Sequence, residues 1–234
     1  RFWLAYLYLA AKLPDDALKV LDDIRGRPAL LEASKIGDNK NHVMFVEAWA
    51  CLLKNEDQKA ETVLDAALKD HPNDSELLGL ATYIYMDNAR FTNALPLIER
   101  QLLTDSNNSS LLLTNGFACL QAGMYEQAIP PLTRVLEFET NTASPSYNMA
   151  LNYRAVANLR AGRFQDAKRD AETLQKAFPT ASQVYFVLGE VAYTNRLTNV
   201  ALRNYELYLT NAPNNPDEIK KVSDRMKELR PGYP

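Results

Sequence analysis

One short pattern returns along the chain at a fixed interval, and that interval restricts the fold more than any other feature. In MYEQAIPPLTRVL, Ala128 opens an amphipathic segment; Ala94 holds the same place in RFTNALPLIERQL and Ala60 in DQKAETVLDAAL, each 34 residues earlier. Ala167 in RFQDAKRDAETL follows after 39 residues, and Ala201 in LTNVALRNYELYL after 34 more. A period of this length fits a unit of two short helices. Such a unit cannot bury its apolar face alone, so neighbouring copies must stack to complete one another's core.

Each copy reads as an amphipathic helix, a short break, a second amphipathic helix and a polar turn. The turns are HPNDS, DSNNS, ETNTASPS, FPTAS and APNNP. Within residues 109–142, Gly116 falls midway along the first helix, where glycine costs about 1 kcal/mol, so a close helix contact is expected to compensate. Gly123 falls at the end of that helix, where a left-handed residue closes a helix at least cost. Pro130 and Pro131 come late for a helix start, and a slight kink or loosened first turn is expected there.

The pattern resembles the tetratricopeptide repeat. The eighth residue of each copy is small (Ala48, Thr82, Gly116, Ala155, Gly189), the twentieth is the alanine series, the seventeenth includes Phe91, Tyr125 and Phe164, and the thirty-second includes Pro72, Pro179 and Pro213. No one match is specific; their joint return over residues 41–215 is. The resemblance implies an all-α, right-handed superhelix (solenoid) of antiparallel helix pairs. Five copies are expected at 41–74, 75–108, 109–142, 148–181 and 182–215. A partial, irregular copy and linker precede them at 1–40, with Ala5 and Ala17 in the eighth and twentieth places. Residues 216–234 read as a capping helix and tail, with Asn215 as cap, Pro216 at the first position and an apolar stripe of Ile219, Val222, Met226 and Leu229.

Catalytic spacings are missing: the chain has no Gly-x-Gly, P-loop, Gly-x-Ser-x-Gly, Cys-x-x-Cys or His-Glu-x-x-His, and only two histidines, His42 and His71. Neither an enzyme, a cofactor nor a metal site is expected. A net charge of −3 offers no basic footprint for nucleic acid. The longest N-terminal apolar run, FWLAYLYLAA, is about half of the ~20 residues a membrane span requires. Cys51 and Cys119 both take the eleventh, core-facing place of their copies, two copies apart, and read as buried thiols rather than a disulfide. The start at Arg1 reads as that of a fragment or processed form. Phe2, Trp3, Leu4, Tyr6 and Leu7 leave the first helix almost no polar face.

In the tetratricopeptide family the first helices line a concave groove. The resemblance therefore implies a partner-binding groove formed by Phe45, Trp49, Tyr83, Met86, Leu113, Phe117, Leu120, Asn152, Val156, Phe186, Glu190 and Tyr193. Family members that clamp the C-terminal carboxylate of heat-shock chaperones use Lys, Asn and Arg where this chain has Phe45, Trp49, Leu80, Ser110 and Thr114, so that activity is not implied. An apolar, aromatic groove suits an amphipathic helix or an extended apolar peptide. Two readings stay open, an exposed groove or side chains buried by tight winding or by the chain itself. Arg154 stands in the seventh place of copy four, usually Leu, with Asn158 one turn on. Either the register slips, turning Arg154 toward solvent or an adjacent acid, or the two form a polar specificity site.

The expectation is a non-catalytic protein–protein interaction scaffold that binds a partner peptide or helix. Two alternatives remain at this stage. One is an assembly module that docks or self-associates through the N-terminal edge; the other is an accessory arm of a larger enzyme.

Overall fold

The computed structural model describes residues 2–26 and 39–230. Much of the linker expected within residues 1–40 lies outside the described residues, as does the tail after Arg230. Among the described residues the chain is entirely α-helical, with thirteen helices and no strand, and it forms two compact units, Arg1–Ser106 and Asn107–Pro234.

The first unit holds α1 (Phe2–Ala10), α2 (Pro14–Arg25), α3 (Asn39–Leu53), α4 (Asp57–Asp70), α5 (Ser75–Asp87) and α6 (Phe91–Thr104). Each helix packs on its sequence neighbours, and the first helices α1, α3 and α5 also touch in succession. The second unit holds α7 (Ser109–Gln121), α8 (Tyr125–Phe138), α9 (Pro145–Arg160), α10 (Phe164–Ala177), α11 (Ser182–Thr194), α12 (Thr198–Thr210) and α13 (Pro216–Leu229). There α7, α9 and α11 touch in succession in the same way, and α13 packs on α12.

The turn after each first helix repeats in atomic detail. Lys12, Asn55, Ala89, Gly123, Gly162 and Arg196 all take left-handed backbone, with φ between 54° and 77°. The N–H of the next residue then bonds a carbonyl five residues back: Leu13 to Tyr8 at 2.8 Å, Glu56 to Cys51 at 2.9 Å, Arg90 to Tyr85 at 2.7 Å, Met124 to Cys119 at 2.8 Å, Arg163 to Asn158 at 2.8 Å and Leu197 to Ala192 at 2.9 Å. This bond satisfies a carbonyl that the ending helix leaves open. Only Gly123 and Gly162 make the turn without a Cβ penalty. Ala89→Gly is accordingly expected to raise the unfolding free energy by about 0.5 kcal/mol, because relief of about 1–2 kcal/mol of left-handed strain exceeds the added unfolded-chain entropy of about 0.4–1 kcal/mol. Urea denaturation measures the difference.

Packing within each helix pair depends on size matching. Ala17, Ala60, Ala94, Ala128, Ala167 and Ala201 are all fully buried, as are Ala5 and Ala48 in the eighth place. A Cβ on Gly116 would lie 2.4 Å from Leu132 Cγ, and one on Gly189 would lie 2.6 Å from the Tyr205 ring. Glycine therefore stands where α8 and α12 send a large side chain against the preceding helix. Between α9 and α10 the matching residues are Ala155 and Ala171, both buried. The prolines do not break α8, which runs unbroken from Tyr125 to Phe138. The N–H groups lost at Pro130 and Pro131 would have bonded the carbonyls of Glu126 and Gln127, two exposed residues in the first turn where water substitutes.

Local capping sets the helix starts. Asp74, Asn108, Ser144 and Asn215 each accept a backbone N–H from the first turn of α5, α7, α9 and α13, an arrangement worth about 1 kcal/mol apiece. The residues inserted before copy four lengthen α9 at its N-terminus, with Ser144 as cap and Pro145 in the first position.

Candidate protein-interaction faces

The first helices of the first unit gather aromatic side chains. Tyr6 on α1 stacks against Phe45 (ring centroids 5.7 Å apart) and His42 (6.2 Å) on α3, Phe2 meets His42 at 5.6 Å, and Phe45 meets Trp49 edge-on at 5.6 Å. The Tyr6 hydroxyl lies 2.9 Å from His42 Nδ1 and donates to Glu76 Oε2 on α5 at 3.4 Å. One phenol thus joins three successive first helices. Burial, and then the Glu76 carboxylate, push its pKa up, so it stays a donor. Phe45, Trp49 and Met86 are half-buried, whereas Tyr83 is 60% exposed.

In the second unit Leu113, Phe117 and Leu120 on α7, and Asn152 and Val156 on α9, are half-buried. Phe117 packs its ring on Tyr153, 5.1 Å away. Tyr153 was not among the residues singled out from the sequence. Its signal was present, an aromatic one place beyond Asn152.

Two expected groove residues belong to the interior. Phe186 is fully buried against Tyr208 (5.6 Å between rings), with Lys221 of α13 over its face. Glu190 is also buried, and its carboxylate accepts from the Tyr205 hydroxyl at 2.7 Å and Arg225 Nε at 3.0 Å, with Lys221 Nζ 2.5 Å away. Tyr193 is clasped by the same helix: its hydroxyl donates to Glu228 at 2.7 Å, and Arg225 lies 3.6 Å above its ring. The capping helix thus covers the outer face of α11. Lys221 and Arg225 look in the sequence like solvated charges, so the pairing that draws them onto Glu190 was not legible there.

Arg154 and Asn158 form no specificity site on a surface. Arg154 grips Asp170 of α10 through two bonds, Nε to Oδ2 at 2.9 Å and Nη2 to Oδ1 at 2.7 Å, and donates from Nη1 to Thr133 of α8 at 3.1 Å. Asn158 Nδ2 donates to the same carboxylate at 3.3 Å. The Asp170 side chain is only 5% exposed and that of Arg154 21%. Arg154 therefore turns to an adjacent acid, within the packing between helices rather than in solvent.

Cys51 and Cys119 are both buried and outside any disulfide; burial pushes the Cys51 pKa up, away from the reactive thiolate. Among the described residues no three His, Cys, Asp or Glu side chains are grouped to hold a metal ion, and no helix is long and apolar enough to cross a membrane.

The sequence profile of the tetratricopeptide repeat matches residues 113–167 and 154–216. Residues 113–216 carry tetratricopeptide repeats. Solved TPR structures share the fold. YrrB, described as a TPR protein with an unusual peptide-binding site, superposes with a TM-score of 0.64 at 15% identity, covering 86% of this chain and 96% of its own. A tetratricopeptide repeat protein from Parabacteroides merdae gives 0.58 at 14% identity, covering 96% and 95%. PilF of Pseudomonas aeruginosa gives 0.55 at 17%, covering 84% and 94%. No curated protein sequence matches the chain. At these identities the likeness concerns the TPR fold alone, a fold consistent with a protein–protein interaction scaffold.

Proposed function

We propose that this chain is a non-catalytic TPR scaffold that binds a peptide or helix of a partner protein across its first helices. The observation that carries the proposal is the α1/α3/α5 face, where the rings of Tyr6 and Trp49, though packed in part against the core, stay only half-buried beside half-buried Phe45, and Tyr83 is 60% exposed. Rings already fixed by Tyr6, His42 and Glu76 lose little entropy when a partner lands on them, which is how a rigid repeat surface gains affinity. In the second unit Leu113, Phe117, Leu120, Asn152 and Val156 provide a further half-buried strip of the same kind.

The discriminating substitution is Tyr83→Ala. Phe117 is less suitable, because its contact with Tyr153 would mix lost packing with lost binding. Tyr83→Ala is expected to change the unfolding free energy by less than about 0.5 kcal/mol and to weaken capture of the protein partner retained by the wild type by about tenfold or more. Full retention of that partner by a folded Tyr83→Ala variant would move the binding face elsewhere.

A second reading is favoured by one observation at the N-terminal edge. In α3 the sixth and tenth residues of the copy, Val46 and Ala50, are fully buried in the cluster formed with α1 and α2. Their counterparts in α1 are Trp3 and Leu7, which are 82% and 63% exposed. On this reading the edge pairs with a second copy of the chain. Sedimentation should then show a dimer that Leu7→Glu returns to monomer; a wild type that is monomeric throughout discards the idea.

A further inference from the structure

We propose that the segment received by the α1/α3/α5 face is basic and amphipathic, with apolar side chains against the rings and Lys or Arg side chains reaching Glu76 and the ring faces. This rests on the reading above that the face binds a protein segment.

Charge at the face is one-sided. The Glu76 side chain stands 57% exposed beside Tyr6 and His42, and α5 also ends in the exposed Asp87. Neither α1 nor α5 contains a Lys or Arg, and the basic residue of α3, Lys40, belongs to its first turn. The surrounding field has the same sign: residues 1–106 contain 12 Lys and Arg against 17 Asp and Glu, whereas residues 107–234 contain 14 against 12. An acidic segment would bring its charge against Glu76, whose neighbouring counter-group is His42, 3.8 Å away and cationic only when protonated, while a basic one is steered in and held. Ring faces add to this, since guanidinium and ammonium groups are drawn to the negative face of Tyr, Trp and Phe.

The chain itself shows the chemistry at work. In the second unit the amphipathic helix α13 lays Arg225 3.6 Å above the Tyr193 ring and pairs Lys221 and Arg225 with Glu190. A first helix offering an aromatic ring and a carboxylate is there met by a helix carrying two cations. The α1/α3/α5 face offers rings and a carboxylate without such a helix among the described residues.

The test uses the intact chain and two synthetic peptides of about 18 residues, long enough to form a helix on contact. Both place Leu at helical spacing; one fills the remaining positions with Lys, the other with Glu. Neither contains Trp, so emission comes only from Trp3 and Trp49, the two tryptophans of the chain, which belong to α1 and α3. The Lys peptide is expected to shift that emission and to bind about tenfold or more tightly than the Glu peptide. Glu76→Lys should erase the preference, while Glu99→Lys, the same charge change at an exposed residue of the second helix α6, should leave it within about twofold. Equal weakening by the two variants would trace the preference to net charge and overturn the proposal. Equal binding of both peptides, weakened together in Tyr83→Ala, would overturn the basic preference and leave the face as a binding site. Failure of both peptides to shift the emission would overturn the binding face and this inference with it.

Discussion

Gly116→Leu is expected to lower the unfolding free energy by about 3 kcal/mol, near the upper end of what overpacking a core costs. Leucine is the better helix former by about 1 kcal/mol, so intrinsic propensity predicts the opposite sign. Packing decides the outcome, because even the first carbon of a side chain at Gly116 would fall 2.4 Å from Leu132 Cγ, and Leu132 is itself fully buried with nowhere to retreat. Gly79 is the internal control. It too lies inside a first helix, but a Cβ there meets nothing within 4 Å, so Gly79→Ala should stabilise by about 1 kcal/mol. Urea denaturation of the two variants reads both signs, and a stabilised Gly116→Leu would show that α7 and α8 do not meet at this residue.

Arg154→Leu is expected to cost about 3 kcal/mol or more, the range for breaking a buried ion pair from one side. The cost comes chiefly from Asp170, which would keep its charge in a nearly dry site with only Asn158 Nδ2 to meet it. Replacing both partners removes the stranded charge. Arg154→Leu combined with Asp170→Leu should therefore recover much of the loss, and a double-mutant cycle gives the coupling directly. Additive losses would mean that the two side chains do not depend on one another.

The same pair shows where reading along the chain stops. Arg154 was conspicuous because it interrupts an apolar position, yet Asp170 lies 16 residues on in α10, among ordinary helical charges. Which acid an arginine meets depends on how two helices are rotated against each other. Lys221 and Arg225 present the same case, since nothing in α13 alone marks them as partners of Glu190.

The helix pairs were determined by the sequence. Small residues in the eighth and twentieth places recur at each copy, capping side chains start four of the helices, and glycine marks two of the six left-handed turns, all local requirements of backbone and close approach. Gly116 and Gly123 carry distinct local demands, one for space and one for a positive φ, and each could be read before any coordinates. Tertiary structure alone decided which face remained available. Tyr83, Phe117 and Phe186 sit on comparable stretches of α5, α7 and α11, yet Tyr83 is exposed, Phe117 rests on Tyr153 and Phe186 is sealed beneath α13. An aromatic side chain has the same chemistry in all three places. Its exposure is set by what the neighbouring helix brings against it, a property of side chains far apart in sequence and therefore settled only when the helices pack.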